Sequence, residues 1–299
     1  MKFLGIDIGG TFIKYAEVDE NSKIIRQWKK ETLLFEDKDS FYDYICDGLD
    51  LENIICVGIS APGVLAPDST IISKAAPNVC IMYGTNVEEE FAKRLGIPVA
   101  AINDAKSAGF CEMKIGNGKG SKSSAYFVIG TGVGGCICNE TDVIEGVNCI
   151  AGEFSQLPIG FLKEQPNKLQ GLCDIASMTA LIDIYNRKVD EEHQAKYGTE
   201  ISELYLAGDE TAVEAMDEWC KNVILGLYLI MIFYNPEIIC IGGGISKADW
   251  FLEKIKGMIE ETVDHDFKDI ISTKIDRCKY DNDANLLGAV LYARQQLEK

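Results

Sequence analysis

The sequence is short of histidine, of positive charge and of long apolar runs, and each shortage narrows what the protein can be. Only two histidines, His193 and His265, occur in 299 residues. Both fall in polar stretches that read as surface helix, so proton shuttling through an imidazole is disfavoured. Lys and Arg total 29 against 47 Asp and Glu, a formal net charge of -18. Such a surface repels nucleic acid and anionic lipid, so neither a nucleic-acid nor a membrane partner is expected. Any polyanion bound here needs local help from backbone N–H groups, a lysine or a metal ion. The longest apolar stretch, about Val223 to Tyr234, stops at Asn235-Pro236. A bilayer span takes about 20 residues, so this stretch reads as a buried helix ended by proline.

Other absences are more local. No Gly-Lys-Ser/Thr stands at the spacing of a Walker A loop. No low-complexity linker interrupts the chain. The opening Met1-Lys2-Phe3-Leu4-Gly5-Ile6-Asp7 reads as a strand, not an apolar leader, so no export signal is expected. The eleven cysteines, irregularly spaced, are then expected to be reduced thiols of a cytoplasmic protein. Cys136 and Cys138 alternate along a strand and face one side; they read as small buried hydrophobes, with a metal pair as the weaker reading.

What is present organises itself around glycine. Residues 2–8, 12–18 and 23–28 read as strands of an antiparallel meander, opened by the turn Gly9-Gly10-Thr11. A helix over 39–49, a buried strand over 54–60, a helix over 87–95, a strand over 99–102 and a helix from Asn103-Asp104 to about Ile115 follow. The pattern then restarts, with strands at 125–129, 136–139 and 142–144 around the loop 130–135. Strand, glycine loop, strand thus occurs twice, which suggests two duplicated βββαβα-type lobes. Residues 177–234 read as mostly helical, 237–241 as a strand and 284–297 as a helix. A length of 299 residues with 47% hydrophobic content supports two domains with a core each. Gly116–Ser124, rich in Gly, Ser and Lys, is the natural boundary. The expected division is 1–117, with the helix near 285–299 packing back on it, and 118–284.

Several motifs point to phosphate chemistry. Gly9 and Gly10 let backbone N–H groups approach a ligand without Cβ obstruction, and such a turn can form an anion nest. Thr11 adds a hydroxyl and Lys14 a charge; Asp7 at the strand end can order Mg²⁺ through water. An ordinary hairpin is the bland alternative. Gly130-Thr131-Gly132-Val133-Gly134-Gly135 fits G-x-G-x-x-G, but that dinucleotide fingerprint must open a helix, and here a strand follows. Two glycine hairpins instead suit two phosphate grips on opposite sides of a cleft. Gly242-Gly243-Gly244 after an apolar strand leaves room for a flat ligand such as a purine or ribose, or makes a tight turn. Asn103-Asp104-Ala105 stands at a strand end and a helix start, where Asp is a good N-cap. The helix N-terminus also keeps Asp104 ionised, as a base accepting the proton of an attacking hydroxyl must be.

Taken together, Asp7-Ile8-Gly9-Gly10-Thr11 with Lys14, Asn103-Asp104-Ala105, the 130–135 loop, Ala151-Gly152-Glu153 and Gly242-Gly243-Gly244-Ile245-Ser246 resemble the ROK family of repressors and sugar kinases, in the family's order and over nearly the whole chain. The resemblance implies an α/β, two-lobed actin-like ATPase (ribonuclease H-like) fold and a homodimer. It implies ATP, carrying Mg²⁺, held by Gly9, Gly10, Thr11, Thr131, Gly132 and Gly134, with adenosine near Gly242, Gly243 and Gly244. It makes Asp104 the catalytic base and places Gly63, Asn78, Asn103 and Glu153 at a sugar. Two departures stand out. Gln156 occupies the place of a histidine usual in ROK glucokinases, and only Cys173 remains of their zinc motif, so no structural zinc is expected and the sugar pocket is altered. The pattern looks like the zinc-less branch that includes β-glucoside kinases. The expected activity is ATP-dependent phosphorylation of a hydroxyl, O6 foremost, of glucose, N-acetylmannosamine or a β-glucoside. A catalytically silent sugar-binding relative remains an alternative. A sugar-responsive repressor is disfavoured, because such proteins carry a helix-turn-helix ahead of the first Gly-Gly strand and bind DNA, which a charge of -18 opposes.

Overall fold

The computed structural model describes residues 1–263 and 265–299, save the side chains of His265 and Lys268, so the expected exposure of His265 lies outside the described residues. The chain divides into two compact units, one of residues 1–119, 141–151 and 282–299, the other of residues 120–140 and 152–281. This differs from a cut at 117/118 in one segment: 141–151 returns to the first unit. Lys114 Nζ donates to Thr141 O at 2.7 Å, Gln295 Nε2 to Asp142 Oδ2 at 2.9 Å and Lys106 Nζ to Cys149 O at 2.7 Å, which fasten it there.

The first unit holds β1 (Lys2–Ile8), β2 (Phe12–Asp19), β3 (Ile24–Glu31), α1 (Lys38–Cys46), β4 (Ile54–Ala61), α2 (Val87–Leu95), β5 (Val99–Asn103), α3 (Asp104–Ile115) and, from the far end of the sequence, α10 (Ala284–Leu297). Its sheet runs β3-β2-β1-β4-β5. β1 pairs antiparallel with β2 and parallel with β4, and β4 parallel with β5. β1, β2 and β4 are buried along nearly their whole length, as strands covered on both faces should be. Leu4, Ile6, Ile13, Tyr15, Val57, Ile59, Phe41, Tyr42 and Phe91 form its core. On the other face α10 lies directly on the sheet: a Cβ added to Gly58 would collide with Ala289 O.

The second unit holds β6 (Ser123–Ile129), β7 (Val133–Asn139), β8 (Pro158–Leu162), β9 (Gln165–Gly171), α4 (Cys173–Ala176), α5 (Met178–Asn186), α6 (Gly198–Ala207), α7 (Glu210–Phe233), β10 (Ile238–Gly242), α8 (Asp249–Thr262), α9 (His265–Lys268) and β11 (Lys274–Arg277). Its sheet order is β11-β10-β6-β7, with β6 antiparallel to β7 and parallel to β10. That repeats the β5-β4-β1-β2 part of the first sheet, so the duplication is present in the connectivity. The counterpart of β3 is missing. Residues 142–144, expected as that strand, form no strand, although Val143 makes a single β-bridge. β8 and β9 pair as a separate hairpin and β11 adds a strand beyond the expected pattern. Helix α7 carries the core, with Trp219 wholly buried and its Nε1 donating to Ser177 O at 2.9 Å. Among the described residues no helix is long and apolar enough to cross a membrane. Cys136 and Cys138 are buried with their sulfurs 3.9 Å apart. His193 is exposed and pairs with Asp190.

Candidate active site

In the first unit the strand ends converge on the Gly9-Gly10 turn. Gly9 N donates to Phe12 O at 3.1 Å, closing the turn, and Thr32 N donates to Thr11 O at 2.9 Å. Thr32 Oγ1 donates to Gly9 O at 2.7 Å, and Asn78 Nδ2 donates to Gly10 O and Thr32 O, both at 3.1 Å. With the carbonyls of Gly9, Gly10 and Thr11 engaged by the protein, the turn is left to offer N–H groups and the exposed Thr11 side chain to a ligand, as an anion requires. Asp7 stands directly behind it and is 4% exposed. Its Oδ2 lies 3.2 Å from Lys14 Nζ across the β1–β2 ladder, and its Oδ1 accepts from Ser60 Oγ at 2.8 Å and Asn285 Nδ2 at 3.1 Å. Nothing in the sequence pattern singles out Ser60, Thr32 or Asn285, which belong to three distant segments; only the sheet order brings them together.

At the end of β5, Asn103 and not Asp104 caps α3. Asn103 Oδ1 accepts from Lys106 N at 3.1 Å, and Asp104 is the first residue of the helix. The bland alternative for Asp104, that it serves as the cap, does not hold, because Asn103, an equally good cap, takes that place. Asn103 Nδ2 donates to Gly63 O at 2.9 Å and to Asp104 Oδ1 at 2.9 Å, and Asp104 Oδ1 also accepts from Ala105 N at 2.7 Å. Asp104 is half-buried and is thus oriented rather than used as a cap. Asn103, buried, ties the Gly63 loop to the start of α3. Two residues further on, Lys106 is 2% exposed. Its ammonium pairs with Glu145 and donates to Cys149 O. A buried charge needs such partners, because an ion left unpaired in the interior costs several kcal/mol in lost hydration.

In the second unit the glycine loop is shorter than the motif. Gly130, Thr131 and Gly132 form the turn, closed by Gly130 N donating to Gly132 O at 2.9 Å. Gly134 and Gly135 already belong to β7, paired with Val128 and Phe127, so Gly134 is a ladder residue of the hairpin and not part of its tip. The start of α5 fixes the turn: Met178 N donates to Gly130 O at 2.9 Å and Thr179 Oγ1 to Thr131 O at 2.7 Å. Beside it runs Gly242-Gly243-Gly244. Gly243 has φ +94°, and a Cβ there would collide with Ile129 O, so no other residue fits between the loop and the end of β6. A short 3-10 turn, Gly244–Lys247, precedes α8. These loops open on a cavity of about 790 Å³ lined by Gly130, Thr131, Thr179, Gly244, Ile182 and Trp250, among others. Glu153 precedes the turn Phe154–Gln156, half-buried, while Gln156 is exposed with its Nε2 3.3 Å from Ser155 Oγ. Cys173 opens α4 with its sulfur 3.4 Å from where a Cβ on Gly132 would stand.

Each unit therefore carries its own glycine hairpin at the end of a parallel-paired strand, and the first also carries an oriented carboxylate. The ROK family profile matches residues 3–296. The chain belongs to the ROK family. A β-glucoside kinase from Listeria monocytogenes is 29% identical over 99% of this chain and 98% of its own length. A ROK family protein from Streptococcus pneumoniae, solved in complex with sucrose, superposes with a TM-score of 0.87 at 26% identity, covering 100% of this chain and 99% of that one. A ROK family glucokinase from Streptomyces griseus, solved with glucose and AMPPNP, gives a TM-score of 0.76 at 25% identity over 99% and 100%. The fold is the α/β, two-lobed actin-like ATPase fold of ROK sugar kinases, and these ROK relatives act on or are bound to carbohydrates.

Proposed function

We propose that this ROK protein is an ATP-dependent carbohydrate kinase that transfers the γ-phosphate to a hydroxyl, O6 foremost, of a hexose or hexose derivative such as glucose, N-acetylmannosamine or a β-glucoside. The observation that carries this reading is Asp104: released from capping by Asn103, and held by Asn103 Nδ2 and Ala105 N through one oxygen. In the reaction the sugar oxygen attacks the γ-phosphorus, its proton passes to the Asp104 carboxylate, and the bond to the ADP oxygen breaks. Gly10, Thr11, Thr131 and Gly132 supply N–H and hydroxyl donors to the phosphates, Gly9, whose own N–H closes the turn on Phe12 O, lets them approach closely, and Gly242–Gly244 make room for the nucleoside. Gly63, Asn78, Asn103, Glu153 and Gln156 are the residues assigned to the sugar in this reading; the amide nitrogens of Asn78 and Asn103 act by holding the loops of the first unit.

Mg²⁺ arrives with the nucleotide. Asp7 has both oxygens engaged by Lys14, Ser60 and Asn285, which fits a carboxylate that orders water on the ion rather than one that ligates it directly. The protein works as a cytoplasmic homodimer in this reading. ADP release coupled to NADH oxidation, over glucose, N-acetylmannosamine, fructose, allose and β-glucosides, tests it. One sugar at least should be turned over, and Asp104→Asn should lower kcat by about 10³-fold or more while ADP still binds. Turnover of none, with sugar binding intact, would make the chain a silent sugar-binding relative.

A further inference from the structure

The cavity of the second unit carries more than a place for the nucleoside, and its reading as a base site rests on the kinase reading. We propose that Trp250 is the platform on which the purine ring of the nucleotide stacks, and that Tyr205 is the positioning residue behind it. A nucleoside phosphate has an anionic end and a flat, largely apolar end. The cavity offers both: Gly130, Thr131 and Gly244 for the first, and Met178, Ile182, Ile245, Ala248 and Trp250 for the second.

The indole of Trp250 is built in from the protein side. The Tyr205 ring of α6 lies 4.7 Å from it at an interplanar angle of 34°, and Phe251 meets it edge-on at 6.0 Å. Tyr205 is itself backed by Lys254 Nζ, 5.3 Å from its ring centre, and Lys254 is paired with Asp217 of α7 at 2.5 Å. Trp250 nevertheless remains only half-buried and borders the cavity. Trp219, by contrast, is wholly buried in the core. A ring held rigid on one side and open on the other is what base stacking uses.

Two polar side chains of the wall, Thr179 and Ser202, are committed to the protein. Thr179 Oγ1 donates to Thr131 O, and Ser202 Oγ donates to Gly198 O at 3.0 Å. Lys196 N and Tyr197 N donate to Glu200 Oε2 at 2.7 and 3.1 Å. A platform that holds the base by stacking contacts more of the larger ring, so purine nucleotides are favoured over pyrimidine ones.

The test titrates the full-length protein with Mg²⁺ and ADP or UDP by calorimetry, beside steady-state kinetics. Trp250→Leu should weaken ADP about tenfold, and Trp250→Phe by no more than about threefold. Tyr205→Leu should fall between them, and the KM for the sugar should stay unchanged in all three. UDP should bind the parent more weakly than ADP. Should the leucine variant fail to fold, fluorescence decides: ADP should quench the emission of the parent and leave that of Trp250→Phe unchanged. An ADP affinity for Trp250→Leu equal to the parent's, a quench that persists in Trp250→Phe, equal binding of UDP and ADP, or a joint loss of sugar and nucleotide affinity would each overturn the proposal. A parent that binds ADP through Trp250 yet phosphorylates no sugar would sink the kinase reading alone. Transfer that continues with nucleotide affinity indifferent to Trp250 would sink only the stacking role.

Discussion

Glu90 shows how much a single residue can hold in this protein. It is 7% exposed and meets Lys38, Lys93 and Arg94, while Arg94 also reaches Asp39 and Asp43 on α1. Burial alone would raise its pKa; hydrogen bonds from Lys93, Arg94 and Lys38 outweigh that and lower it from 4.5 to about 2. A carboxylate depressed in the folded state contributes stability above its unfolded pKa and loses it as pH falls through the folded one. The first unit should therefore lose about 1–3 kcal/mol between pH 5 and pH 2 from this group, the lower end applying where solvent screens the exposed lysines. Urea midpoints across that range should fall less steeply for Glu90→Gln; parallel slopes would dismiss the network. Lys106 is the second such residue. Lys106→Met leaves Cys149 O and Glu145 without their donor and should cost about 1–3 kcal/mol in chemical denaturation. Neither role is visible in the sequence, where a lysine two places after Asp104 and a glutamate within Glu88-Glu89-Glu90 both read as solvated surface. Asp7 and Lys14, by contrast, could be singled out from their places around a glycine turn, although Asp7's other partners, Ser60 and Asn285, could not.

Elements with strong local signals were legible to the residue. α2 runs from Val87 to Leu95 as expected, because Asn86 accepts from Glu89 N at one end and Gly96 turns left-handed at the other. α10 likewise matches 284–297. The hairpin β8–β9 was not legible: its residues are mostly exposed, so no alternation of apolar and polar side chains marks it. The 142–144 segment shows the opposite failure, since Val143-Ile144 reads as β-branched strand but pairs no further than a bridge at Val143. At this scale the contact of α10 with the first sheet is the most exacting. Gly58→Ala should push the helix off the strand and cost about 1–3 kcal/mol, seen as a lower Tm with the nucleotide affinity of the second unit preserved. A Tm equal to the parent's would mean that α10 has room to move away.

For the whole molecule, the charge of -18 and the two glycine hairpins act together. A polyanionic substrate must be bound against the net field, so nucleotide affinity should improve as salt screens the surface. The Kd for ADP, measured between about 20 and about 300 mM KCl, should fall or stay level; a steep rise with salt would mean that lysines rather than backbone donors hold the phosphates. The family was readable because glycine spacing is a property of the chain itself, whereas the course of 141–151 depends on side chains far apart in sequence.

The same discontinuity bears on biosynthesis. The first unit is assembled from three stretches, and its last, residues 282–299, leaves the ribosome after the second unit. The strands β1, β4 and β5 must therefore wait, without the helix that covers them, while the entire second unit is translated. A chain stalled before α10 would present an unfinished sheet to chaperones and proteases, and the first unit cannot be expressed whole as one continuous fragment.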